Sequence, residues 1–360
     1  MGGTTNDLLA SVRTEVERDF GALVPPIAAH SPAPLALAAA WTMLRATMIE
    51  PGLVDRTTKE AVATAVSHAN SCWYYEELHL TTLESLNEQR AASADSELSS
   101  LADLRIRKAT AWARAAGMRG YTNDPRPFDE RHVPELVGTV VISHYLDRMA
   151  TVLLSGTAAP SGVARQDFDK VAALAHHSPS AARELLPTAE LPYDLAWTAG
   201  EPRVADAFAR AAAVIDAAAS RSVPESVRAL VLARLTDWQG ETPGDDQHWL
   251  AVALAGLPDD DRPAGRLALL TAVAPHQVTE LTLDMLREHG TDERTLVELI
   301  SWASLAAARR VGEWLAPSVT PAAPESPPAK VLEFRSAADS AEARPARRTT
   351  GRTRQRRAGV

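Results

Sequence analysis

Cys72 is the sole cysteine in 360 residues, and it stands in the stretch ANSCWYYEELH, Ala69 to His79. Tyr75, Glu76 and His79 follow it at steps of three or four residues, the spacing that places side chains on one face of a helix. Glu60 lies on the preceding helical segment and reaches the same pocket if the two helices pack antiparallel. A thiol, an imidazole and a carboxylate so placed make a nucleophile with a proton relay. Asn70 and Ser71 are N-cap residue types, which puts Cys72 in the first turn of the next helix, where free amides and the helix dipole favour a thiolate. Glu76 and Glu77, one turn on, act in the opposite sense. Each member also has a plain structural reading, the cysteine as a small buried hydrophobe and the histidine as a packed side chain.

Other chemistries find less support. His68, Cys72, Glu76 and His79 form a stripe of zinc-ligand types if the helix runs unbroken, but one straight helix rarely gives an ion more than two ligands, and the Asn70-Ser71 cap interrupts this one. No metal or cofactor is expected. There is no Gly-rich phosphate loop, no Gly-x-Ser-x-Gly elbow and no Cys-x-x-Cys pair. Ser143, His144 and Asp147 are triad types, but on one helix they do not place nucleophile, base and orienter in line. His144, Tyr145 and Arg148 are read instead as walls of the Cys72 pocket or as interhelical polar packing.

The elements that must position these residues read as helices throughout, and the fold class is all-α. Helices are expected near 6–20, 34–49, 55–69, 72–89, 98–117, 128–156, 164–185, 203–220, 224–238, 262–274, 276–289 and 292–315. The segments 55–86 and 261–290 share an Asp-Arg start, an Ala/Leu/Val helix, a polar break and a second amphipathic helix, so the chain reads as a duplicated helical module. In that register Val278 stands where Cys72 does. The expected organisation is an N-terminal helix and linker (1–33), a domain carrying the motif (34–160), a second, degenerate repeat (161–316) and a disordered Pro/Arg-rich tail (317–360).

The net charge is -9, but residues 341–360 carry seven Arg against one Glu, which leaves the remainder at -15. An acidic body excludes nucleic-acid binding by the folded part and leaves the arginine-rich tail as the place for a nucleic acid or an acidic partner. With one cysteine and no apolar run of about 18 residues, the chain is expected in a reducing cytoplasm, with no membrane span.

The pattern Glu60-x11-Cys72-x2-Tyr75-x3-His79, preceded by KEAVATAVSHAN, resembles the alkylhydroperoxidase D / carboxymuconolactone decarboxylase family. The flanks WTMLRATMIEPGLVDRTTKE and RPFDERHVPELVGTVVISHYLDRMATVLL resemble a longer bacterial branch of it. The resemblance implies an all-helical, oligomeric thiol peroxidase with Glu60 and His79 as relay residues and Cys72 as the first cysteine of a pair. Tyr75 stands at the attacking cysteine, and Tyr74 at a further relay histidine of alkylhydroperoxidase D. A phenol with a pKa near ~10 neither attacks peroxide nor forms a disulfide. Two readings follow: a one-Cys peroxidase reducing hydroperoxides through Cys72 with an external thiol, or a helical binding or scaffold protein that keeps the fold without the chemistry. Lactone decarboxylation would need a carboxylate clamp, to which the sequence assigns no arginine.

Overall fold

Proline and Asp mark many of the points where helices begin, because the first turn has no use for the amide that Pro lacks, and Asp caps one that would otherwise be exposed. The computed structural model describes residues 5–93, 96–121, 126–155, 162–244, 246 and 248–316. Among them every regular element is helical. In chain order they are α1 (Thr5–Asp19), α2 (Pro25–Ala28), α3 (Pro34–Leu44), α4 (Arg56–Ala69), α5 (Trp73–Ser93), α6 (Ser96–Ala115) and α7 (Val133–Leu153), then α8 (Gly162–Leu174), α9 (Pro202–Ser222), α10 (Glu225–Asp237), α11 (His248–Leu254), α12 (Arg262–Val273), α13 (Glu280–Glu288) and α14 (Glu293–Leu315). Proline occupies one of the first two positions of α2, α3, α7, α9 and α12. Asp55 caps α4, accepting from the Thr58 amide at 2.9 Å and its hydroxyl at 2.8 Å.

Three expected helices are corrected, and α11 is not among those expected. The helix expected to run to 49 gives way at Leu44 to a π-helical turn, Arg45–Ile49, closed by the Glu50 amide on the Arg45 carbonyl at 3.0 Å. The helix expected over 164–185 stops at Leu174. Beyond it the amides of Ser180 and Arg183 donate to the buried carboxylates Asp19 and Glu15 of α1, at 3.2 and 3.0 Å, and these bonds to side chains replace helical ones. The helix expected over 276–289 splits into a 3-10 turn, Pro275–Gln277, and α13. Helix α11 has only seven residues, too few to show a period.

Helix α7 is the centre of the fold. Its sequence, VPELVGTVVISHYLDRMATVL, is apolar on nearly every face, and nearly all of it is buried. It packs against α4 on one side and α14 on another, with α3 and α12 also in contact. Gly312 of α14 permits that approach, since a Cβ there would stand 2.9 Å from Val141 Cγ2. Near the start of α7, Glu135 pairs with Lys59 of α4 at 2.7 Å and accepts the Leu53 amide at 2.6 Å, so the entry to α4 is tied to α7.

The pairing of α4 with α7 is matched by that of α12 with α14. Val278, in the break before α13, is buried like Cys72 in the break before α5. The described helices lie in one compact unit. The boundary expected at 160 and the tail, 317–360, fall outside the described residues.

Candidate active site

The turn between α4 and α5 is built by backbone bonds. The Cys72 amide donates to the Ser67 carbonyl at 2.9 Å, and the Cys72 carbonyl accepts the Glu76 amide at 3.0 Å. Cys72 is therefore itself the N-cap of α5, which corrects the expectation that Asn70 and Ser71 cap that helix. Ser71 instead adopts φ +54°, the only non-glycine in the left-handed region among the described residues. That conformation costs on the order of 1–2 kcal/mol for an L-residue and turns the thiol inward, toward α7.

Cys72 is 3% exposed. Its thiol faces the Asp147 carboxylate and the Thr151 hydroxyl, both on α7, with the Tyr75 amide nearby. Burial, and then the negative charge of Asp147, push the thiol well above its ordinary pKa. The pull of the helix dipole toward a thiolate is thus outweighed by burial and by a carboxylate that faces the sulfur from another helix. Asp147 accepts from Ser67 Oγ at 2.8 Å and Asn70 Nδ2 at 2.7 Å. Burial outweighs those bonds and pushes its carboxyl up to about 6. Thiol and carboxyl together form a coupled pair that holds one proton at neutral pH.

The expected relay pair forms beside it. His79 Nδ1–H donates to Glu60 Oε2 at 2.7 Å, and Arg56 Nε donates to Glu60 Oε1 at 2.6 Å. Burial works to raise the Glu60 carboxyl, but the charges of Arg56 and His79 and their hydrogen bonds overcome it and hold it below the usual range. Tyr75, 1% exposed, stacks on His79, and burial pushes its phenol well up. Its hydroxyl has no partner among the described residues. Glu76, expected on the same face, turns outward and binds His68 Nδ1 at 2.8 Å. The zinc-type stripe is thereby split between a surface pair, His68 and Glu76, and the buried Cys72 and His79.

A cleft of about 400 Å³ opens against this site. Asn70, Ser71, Asp147 and Thr151 form its inner wall, so it ends on the two side chains that face the thiol, with Trp238 and Pro275 opposite. The 117–119 and 239–240 backbones meet at its edge, where the Arg119 amide donates to the Gln239 carbonyl at 2.9 Å. Of the three walls expected from α7, Arg148 lines the cleft, and His144 lies behind it and accepts from Asn70 Nδ2 at 3.2 Å. Tyr145 faces away, bonded to His30 Nε2 at 3.1 Å and Ser301 Oγ at 2.9 Å.

Comparison with known proteins places the chain in a family. The family model described as the carboxymuconolactone decarboxylase family matches residues 36–95, which span most of α3 and all of α4 and α5. The chain is 33% identical over 316 residues to the protein named alkyl hydroperoxide reductase Rv2159c of Mycobacterium tuberculosis, covering 85% of this chain and 90% of the relative. The chain belongs to the alkylhydroperoxidase D-like carboxymuconolactone decarboxylase family. No solved structure gives a significant match. Within the family pattern Glu60 and His79 meet as the resemblance implies, while Tyr75 fills the place of the second sulfur. Sequence reasoning missed Asp147 as the thiol's partner, having discounted it with Ser143 and His144. The available signal was its chemistry: a carboxylate in a helix as apolar as α7 must be bonded to something inside.

Proposed function

We propose that the protein is a one-Cys hydroperoxide reductase in which Cys72 attacks and Asp147 is the base. The observation that carries this reading is the Asp147 carboxylate, which lines the cleft and faces the buried Cys72 thiol. As sulfur attacks the near oxygen of ROOH, the S–O bond forms, the O–O bond breaks, and the thiol proton passes to Asp147. A carboxyl with a pKa of about 6 then returns that proton to the leaving RO⁻, giving ROH and Cys72 sulfenic acid. A first external thiol displaces water from the sulfenic acid and leaves a mixed disulfide. A second external thiol releases Cys72–SH and departs as the disulfide of the reductant. Glu60 and His79 hold the helix pair and the Tyr75 wall. The relative's name, alkyl hydroperoxide reductase, supports the same chemistry.

The second reading, a family fold kept for binding, draws on the burial of Cys72 and on the two tyrosines beside it. Exposing the purified protein to cumene hydroperoxide and trapping sulfenic acid with a dimedone probe decides between them. Stoichiometric labelling, lost in Cys72→Ser, supports the reductase. An unlabelled protein at millimolar peroxide rules it out and leaves the binding role.

A further inference from the structure

Three Arg or Lys side chains are buried among the described residues: Arg45, Lys59 and Arg148. Arg45 is paired with Asp19 and Glu50, and Lys59 with Glu135. Arg148 is held without a carboxylate. Its Nε donates to the Ala272 carbonyl at 3.1 Å, its Nη1 to the His144 carbonyl at 2.9 Å and to His144 Nδ1 at 3.1 Å, and its guanidinium lies 5.8 Å from the Trp238 ring centroid. Asp147 acts on it only as a nearby charge. A buried guanidinium with no carboxylate in direct contact keeps much of its desolvation cost, and this one lines the cleft.

Two further observations point into the same space. Arg114 is exposed on the cleft wall and makes no ion pair among the described residues, whereas in a neighbouring cleft Arg309 pairs with Asp194 at 2.6 Å and Arg310 with Glu313 at 2.7 Å. His144 Nδ1 accepts from both Asn70 and Arg148, so its proton sits on Nε2, and that Nε2–H is buried without a partner. Its ring packs over Gly117, a residue of the cleft wall. With Arg114 and Arg148 against the single carboxylate of Asp147, the cleft lining has a net positive charge in a chain of net charge -9 and attracts anions locally where the whole repels them. The rest of the lining includes Trp238, Met118 and Val273, an apolar bed.

We propose that this cleft binds an amphipathic organic monocarboxylate, its carboxylate between Arg148 and Arg114 and its apolar body along Trp238, Met118 and Val273. Combined with the peroxidase reading, on which this last step alone rests, it names the substrate class as hydroperoxides that carry a carboxylate.

The test is calorimetric titration of the full chain with octanoate and, as the neutral counterpart, octanamide, in wild type, Arg114→Glu and Cys72→Ser. Octanoate is expected to bind at least about tenfold more tightly than octanamide. Arg114→Glu should weaken octanoate by about tenfold and leave octanamide unchanged, because a reversed charge at the exposed wall acts on the anion alone. Cys72→Ser should leave both unchanged, so binding is read independently of any peroxide chemistry. Equal affinities for the two probes, or an octanoate affinity indifferent to Arg114→Glu, would overturn the proposal. If octanoate binds as expected while cumene hydroperoxide leaves Cys72 unlabelled, it is the peroxidase reading that fails.

Discussion

The Tyr75 ring lies 5.8 Å from the His79 imidazole, centroid to centroid, at an interplanar angle of 24°. The residue that stands in place of a second sulfur therefore packs on the very imidazole that would have served that sulfur. On the proposed reading the acid-base work therefore falls to Asp147.

Replacing Tyr75 by Cys tests how much of the two-sulfur architecture survives. A cysteine at this position lies one helical turn from Cys72, so peroxide should produce an intramolecular disulfide, seen as a two-proton mass loss that dithiothreitol reverses. The lost ring should cost about 3–5 kcal/mol, read as a lower urea midpoint. A Tyr75→Cys chain that never forms the bond would show that the turn holds the two positions apart.

Asp147→Asn should slow sulfenic acid formation at pH 7 by roughly 10²-fold, the usual worth of a general base. In the native protein the rate should rise with pH through about 6, as Asp147 ionises, and that limb should vanish in the variant. A pH profile that is the same in both proteins would exclude the carboxylate as the base.

The thiol itself should resist alkylation. Since burial and the Asp147 charge raise the pKa of Cys72, iodoacetamide should react slowly at pH 8 in the folded protein and at a normal rate in 8 M urea. The linkage has a definite sign. Between the unfolded value of ~8.5 and the higher folded value, the native state binds the extra proton, so this contribution to stability is complete below ~8.5 and is lost as pH rises. Equal alkylation rates in the two states would contradict the geometry around the sulfur.

Glu60→Gln should be chiefly a stability variant. Removing the charge that Arg56 and His79 share is expected to cost about 3 kcal/mol, while sulfenic acid formation at Cys72 changes by less than about threefold. The carboxyl is held below its ordinary range, so its contribution is present above ~4.5 and lost as pH falls. Acid unfolding midpoints of native and Glu60→Gln protein should therefore converge on acidification. A fall in peroxide reactivity as large as that of Asp147→Asn would restore Glu60 to the relay.

Much of this was legible in the residues. Glu60 and His79 come together once two consecutive helices joined by a short turn pack antiparallel, as the sequence allowed, and the helical class follows from periodicity. Asp147 was not legible as a partner, because its side chain addresses Ser67, Asn70 and Cys72 across a helix pairing that no local pattern encodes. Arg148 was hidden for the same reason: its lack of a counter-charge is a property of the packed interior, visible only once the neighbouring carboxylates are seen to be engaged elsewhere. The cap was misread at Ser71, whose residue type favours an N-cap while the tertiary fold forces a left-handed turn.

The meeting of the 117–119 and 239–240 backbones has a consequence for how this cleft can change. Gly240 sits at φ +102°, and a Cβ on it would collide with the Gly117 carbonyl, so the mouth is spanned by main chain touching main chain. That contact and the Arg119–Gln239 bond leave no side chain whose replacement would widen this part of the rim. New ligand preferences must come from exchanging side chains such as Met118, Thr242 or His276 around an unmoving frame, and variants with altered preference should superpose on the parent backbone.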